Sequence, residues 1–403
     1  MKKSFLVVAL TATFFSVEAQ STLGRSDLQL NTITTAVPFL LIAPDSRAGA
    51  LGDAGVATSP DANSIHWNPA KLAFIDKNMG LSISYSPWLR RLVPDISLSY
   101  VSFYKKLGKD HTLGASLRYF SLGDIKFTDD QGYALGDFRP NEFAIDVAYS
   151  RKLGDKLSGG IAARYIYSNL TGGIDVSGSN TRAGTSFAVD VSAFYTNPDI
   201  ELFGQNTILN FGLNLSNIGA KISYTDDANK DFIPINMKLG TSLAFVLDDY
   251  NSIAIVADVN KLLVPTPPIY KKDASGSPVL DPVTNEPTIE SGMDPNVGIM
   301  SGIAQSFYDA PGGMTEELRE YNISAGLEYW YNKQFAVRVG YFTEHVTKGN
   351  RKYITAGLGL RMSVFTIDMS YLIATTQNNP LDRTLRFSLM FNFDDFKKQK
   401  EEN

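Results

Sequence analysis

The chain has 403 residues, 44% of them hydrophobic and 20% charged, a balance that fits neither a disordered segment nor a bundle of membrane helices. A formal net charge of -5 argues against a nucleic-acid partner. The absence of cysteine excludes disulfides, thiolate catalysis, thiolate metal sites and lipid attachment at an N-terminal cysteine.

Lys2 and Lys3 precede an apolar core over residues 5–15, and Val17 and Ala19 satisfy the small-residue cleavage rule. This predicts a signal peptide over 1–19 and a mature chain starting near Gln20, exported from the cytoplasm with the outer membrane as a destination. Residues 20–78 are too rich in Gly and Pro for a helix bundle. Within them Gly49, Gly52 and Gly55 permit close backbone approach or positive φ. They do not form a phosphate loop, because no strand leads into them and no Lys-Ser/Thr pair follows. Asn68-Pro69 has the pattern of a helix start, with Asn capping and Pro at the first helical position.

From Met79 the dominant signal is alternation with a period of two. Residues 207–216 show it plainly: Leu209, Phe211, Leu213 and Leu215 alternate with Asn210, Gly212, Asn214 and Ser216. Fourteen strands are predicted, at 80–86, 95–104, 112–119, 142–150, 161–167, 187–195, 207–216, 235–245, 253–259, 321–329, 335–341, 354–362, 365–371 and 385–393. A strand with one apolar and one polar face needs two solvents, which a soluble sandwich or a membrane barrel can each supply.

The connections favour the barrel. Short turns near 107–111, 152–156, 247–251, 331–334 and 363 alternate with long loops at 124–139, 169–185, 218–232, 261–320, 343–352 and 374–383. Only 87–94 and the longer turn 196–206 blur the rule. An even strand number leaves both termini on the short-turn, periplasmic side. The polar faces carry Arg118, Asp146, Arg164, Asp190, Lys238, Asp258, Glu328, Arg338, Asp368 and Arg386, expected to pair across a wet lumen. Tyr85, Tyr119, Tyr149, Tyr195, Tyr329, Tyr341 and Tyr371 end apolar faces, as an interfacial girdle does. The expected organisation is therefore a signal peptide (1–19), a plug folded into the lumen (20–78), an all-β transmembrane barrel of fourteen antiparallel strands (79–393) and a charged periplasmic tail (394–403).

The block before the barrel carries a resemblance. Pro38-Phe39-Leu40, Pro44-Asp45-Ser46-Arg47-Ala48-Gly49, Gly52-Asp53-Ala54-Gly55-Val56-Ala57-Thr58 and His66-Trp67-Asn68-Pro69-Ala70 resemble the N-terminal hatch of the FadL-like outer-membrane superfamily. Within it, they are most similar to the PorV/PorQ family of the type IX secretion system. The resemblance implies a hatch motif built on Gly49, Gly52, Asp53, Gly55, Trp67, Asn68 and Pro69. It also implies a non-enzymatic role: binding secreted cargo through its C-terminal signal domain, docking beside a SprA-type translocon, and delivery to a PorU-type attachment complex in a setting of membrane lipid and lipopolysaccharide.

If cargo is taken at the cell surface, the outer loops do the work. Trp88, Leu89 and Leu92 in the loop 87–94 form an apolar tip that must meet lipid, a partner or its own barrel rim, and Met300, Ile303, Phe307, Tyr308 and Met314 in the sixty-residue loop 261–320 read as a lid, or a plug for a neighbour's opening, that reaches a translocon or cargo surface. Catalysis fits poorly: His66, His111 and His345 fall in the plug, a periplasmic turn and an outer loop. A lipid A deacylase activity, also raised by the resemblance, would have only His345 as a base near the rim. No cofactor is predicted, and Asp129-Asp130 and Asp226-Asp227 read as solvated turns or, less simply, loop calcium ligands. The alternative function is a FadL-like passive transporter of hydrophobic small molecules, which needs an apolar path and a movable hatch.

Overall fold

The computed structural model describes residues 30–394 except 90–92, 94, 129–130, 132, 174–180, 226–229, 377–378 and 380. The signal segment, Leu92, both acidic pairs and residues 395–403 of the tail lie outside the described residues.

The alternating segments form fourteen strands: β1 (Met79–Pro87), β2 (Ser97–Lys106), β3 (His111–Ser121), β4 (Asn141–Lys152), β5 (Leu157–Asn169), β6 (Gly184–Leu202) and β7 (Gln205–Gly219), then β8 (Asn236–Val246), β9 (Asn251–Leu262), β10 (Asn322–Tyr331), β11 (Phe335–Thr343), β12 (Lys352–Arg361), β13 (Phe365–Ala374) and β14 (Leu385–Asn392). Each pairs antiparallel with its sequence neighbours, and β1 closes on β14 through Leu81↔Phe391, Ile83↔Leu389 and Tyr85↔Phe387. Closure leaves no unpaired edge, the condition for a sheet to cross hydrocarbon. No helix among the described residues is long and apolar enough to cross a membrane.

The faces are inverted relative to a water-soluble protein. Arg118, Arg338 and Arg386 are among the largest fully buried side chains, while Leu117, Val337 and Phe387 on the other face are exposed. Apolar groups outside and guanidinium groups inside are stable only where the exterior is lipid.

At the periplasmic end the turns are short, and the apparent exception at 196–206 disappears. β6 and β7 run on past their neighbours as a hairpin, through Ile200↔Thr207, Glu201↔Asn206 and Leu202↔Gln205. The turn is only Phe203-Gly204, both with positive φ (55° and 73°), the conformation that matches strand twist. Pro198-Asp199, inside the segment 196–206 expected to be a longer turn, sits at a register irregularity between Asn197 and Ile200.

The lumen is occupied, with polar-lined cavities left in it. Residues 31–78 run through it, with helices α1 (Ser46–Ala50) and α2 (Ser64–Trp67) and the 3₁₀ segments Pro38–Leu41 and Pro69–Phe74. The barrel begins and ends at the short-turn side, where Gly80 pairs with Asn392, while the described part of the plug starts at the loop end, where the Asn31 amide bonds Thr347 O (3.0 Å), and descends to β1. The wall accepts it where inward residues are glycine. Gly52 (φ +70°) lies against the Tyr341 backbone, and a Cβ on Gly340 would collide with the Gly52 amide.

Gly340→Val should therefore unseat the plug without stopping barrel assembly, at an overpacking cost of about 1–3 kcal/mol. In planar bilayers the variant should show ion conductance absent from the wild type, with heat-modifiable gel mobility unchanged. A variant as closed as the wild type would contradict the packing account.

A latched plug and a sealed outer mouth

The plug motif is held by ion pairs and backbone bonds around the whole wall. Asp45 caps α1 by accepting from the Ala48 amide (2.9 Å) and also accepts from Trp67 Nε1 (2.6 Å). Burial, with Asp61 nearby, pushes its carboxyl up to about 6. Arg47, in the first turn of α1, forks onto Glu328 of β10 (3.0 and 2.8 Å) and reaches Asp61 (2.9 Å). Burial alone would lower its pKa, but Glu328 and Asp61 hold it above the ordinary value. Glu328 also accepts from Arg338, which bridges to Asp368. Asp53 accepts from Arg386 (2.7 Å) and Tyr353 (2.5 Å). The Gly55 and Val56 amides donate to Asp258 of β9 (2.7 and 2.9 Å). The inward charges therefore pair with the plug or with adjacent strands, as in Arg164 with Asp146 and Asp190, and not across an open lumen.

Lower down, Asn68 behaves as the sequence pattern predicts. Its side chain accepts from the Ala70 amide (3.1 Å), with Pro69 opening a 3₁₀ rather than an α-helix, and donates to Val56 O and Ala193 O. Ser150, Ser158 and Ser192 grip the backbone of Ala70 and Ala73. Gly55 faces the Trp67 ring so closely that a side chain there would overlap it, and Gly49 likewise faces Arg386. Lys71 donates to Gly55 O (2.8 Å) and Thr58 Oγ1 (2.9 Å), and burial lowers its ammonium to about 8. His66 packs edge-on against Trp67 and bonds Arg118; burial and Arg118 hold its pKa well below the ordinary value. His111 contacts Tyr149 at the periplasmic end and His345 contacts Thr347 in an outer loop, so the three histidines occupy separate places.

The loop end is sealed by an apolar layer. Val37, Phe39 and Leu40 of the plug pack with Leu98, Phe120, Ile166, Ile233 and Leu263. Above it, buried charges tie the loops together. Lys261 at the end of β9 pairs with Glu317 (3.2 Å) and Glu320 (2.5 Å), and Lys348 pairs with Glu316 (2.6 Å) and Glu320 (2.9 Å). The Asn31 side chain also donates to Glu316 (2.9 Å), joining the start of the plug to this network.

The expected loop-tip residues divide into two groups. Trp88, Leu89 and Ile303 are half-buried and pack against the apolar clusters of the mouth, so Trp88 and Leu89, expected to be exposed, instead meet the barrel's own rim. Met300 (72% exposed), Phe307, Tyr308 (62%) and Met314 (68%) face outward, joined by Leu318 (64%), which the sequence reading omitted. These lie on α3 (Ile299–Gln305), α4 (Met314–Glu317) and the residues beside them. The Lys261–Glu320–Lys348 network was also missed; its only sequence signal is a run of charges at loop ends, indistinguishable from solvated residues.

Arg47→Met removes one partner of a buried ionic cluster and should cost about 3 kcal/mol of plug seating, or roughly a hundredfold in amide exchange. Hydrogen exchange of the Gly55 and Val56 amides reads this directly, and unchanged protection would contradict the latch.

Comparison with known proteins follows the same lines. No match is found among curated proteins. Among solved structures, the fold is similar to the Pseudomonas putida toluene transporter TodX (12% identity, 90% of this chain and 98% of that chain, TM-score 0.45). It is also similar to the CymD monoaromatic hydrocarbon channel (13%, 88% and 98%, TM-score 0.47) and to a Pseudomonas aeruginosa FadL homologue (13%, 90% and 100%, TM-score 0.45). At these values the likeness is one of fold only. The family model described as type IX secretion system protein PorV matches residues 25–269, from the plug through β9 and into the long loop. The chain belongs to the PorV family and is an outer-membrane component of the type IX secretion system.

Proposed function

We propose that this protein receives secreted cargo at the cell surface and works with its lumen shut. In this reading it docks beside a SprA-type translocon, binds cargo through the cargo's C-terminal signal domain, and passes it to a PorU-type attachment complex. The observation that carries the reading is the contrast between the two ends of the long loop's chemistry. Its ionic network is buried and fixes the loop over the mouth, while Met300, Tyr308, Met314 and Leu318 are turned to solvent above it. Exposed apolar side chains on a rigid support suit a protein partner. The latched plug supports this over passive transport, since a channel would have to break the Arg47–Glu328 and Asp53–Arg386 pairs at each passage. Nothing in this reading requires a catalytic residue.

Replacing Met300, Tyr308, Met314 and Leu318 together with Ser or Asn leaves Lys261, Glu317, Glu320 and Lys348 untouched. Surface display of the barrel should persist, while translocon and cargo recovered with it from solubilised membranes should fall at least about tenfold. Undiminished recovery would sink the proposal, and fatty-acid uptake by the purified wild type in liposomes would favour the transporter instead.

A further inference from the structure

The lipid-facing wall has a groove that neither the barrel nor the secretion role accounts for. On β6–β9 the small side chains Ala193, Thr241 and Ala257 leave a groove of about 460 Å³ between the bulkier Leu157, Tyr195 and Phe211. These residues are register neighbours, as in Leu157↔Tyr195, Tyr195↔Phe211, Phe211↔Thr241 and Thr241↔Ala257. The groove is therefore one continuous feature of the outer surface. Its floor includes Gly212 and Gly240, whose inner sides are pressed by Val56 of the plug, so it does not open into the lumen.

The lining is almost wholly apolar and of a volume that takes one small ligand or chain. Water would find almost no partners there, and the surroundings at this depth are hydrocarbon. Leu157 opens β5 directly after the short turn, so the groove ends at the periplasmic leaflet's headgroup level. Beside that end stand a cation and an anion: Lys156 Nζ lies 3.2 Å from Asp199 of the protruding hairpin and donates to Asn197 (2.6 Å). Both are substantially exposed, 40% and 73%, and an exposed pair is held weakly enough to be exchanged for other counter-charges.

We propose that this groove and ion pair form a site for one zwitterionic phospholipid of the inner leaflet. One acyl chain lies in the groove, the phosphate meets Lys156, and the head-group ammonium meets Asp199. An anionic lipid would satisfy only Lys156 and face Asp199 with like charge, so the site discriminates by head group.

The test uses the full-length protein, delipidated in detergent and titrated with palmitoyl-oleoyl phosphatidylethanolamine or phosphatidylglycerol under native mass spectrometry. The wild type should retain one phosphatidylethanolamine in preference to phosphatidylglycerol. Ala257→Phe, which fills the groove from the lipid side, should weaken retention about tenfold. Ile145→Phe, an outward substitution on β4 away from the groove, should not. Asp199→Asn, at an exposed carboxylate, should narrow the head-group preference while leaving the barrel folded. Equal retention by Ala257→Phe and wild type, equal retention of the two lipids, or a co-purified polypeptide in place of lipid would each overturn the assignment.

Discussion

Everything in this barrel follows from having hydrocarbon outside it. Outward positions are apolar and alternate with inward ones, so the barrel's polar and charged side chains collect in the lumen. Charges buried there are costly unless paired. The wall charges are therefore obliged to find partners on the plug or on adjacent strands. Glu328, Asp258 and Arg386 find Arg47, the Gly55 and Val56 amides, and Asp53. The same constraint that builds the barrel also locks its contents.

The locking has a consequence for function. A hatch held by several buried ion pairs and by serine grips on its backbone is poorly suited to opening at each transport event. The loop end is closed a second time by an apolar layer, and a third time by the Lys261–Glu320–Lys348 network. Successive closures direct attention to the outer surface. There the apolar residues of α3 and α4 remain turned to solvent.

The architecture was largely legible in the sequence because the bilayer enforces a strict period of two over every strand. The helical start at Asn68-Pro69 within the plug was legible for a local reason, since a cap is a short-range pattern. What failed were contacts set by distant partners. Trp88 and Leu89 read as exposed tips because sequence cannot show that clusters of the mouth lie beside them. The segment 196–206 read as a longer turn because the bulge at Pro198-Asp199 that carries the hairpin onward needs β7 alongside. The ladder of inward charges was visible, but its partners were not, because an occupied lumen and an open one leave the same alternation.

The central claim is that the protein works with its plug in place. Because the chain has no cysteine, a Ser46→Cys and Ser388→Cys pair gives a unique thiol pair between plug and wall, where the Ser46 amide now bonds Ser388 Oγ (2.9 Å). Secretion in cells carrying this pair should be the same whether it is oxidised or reduced. Secretion that stops on oxidation and returns on reduction would contradict the account.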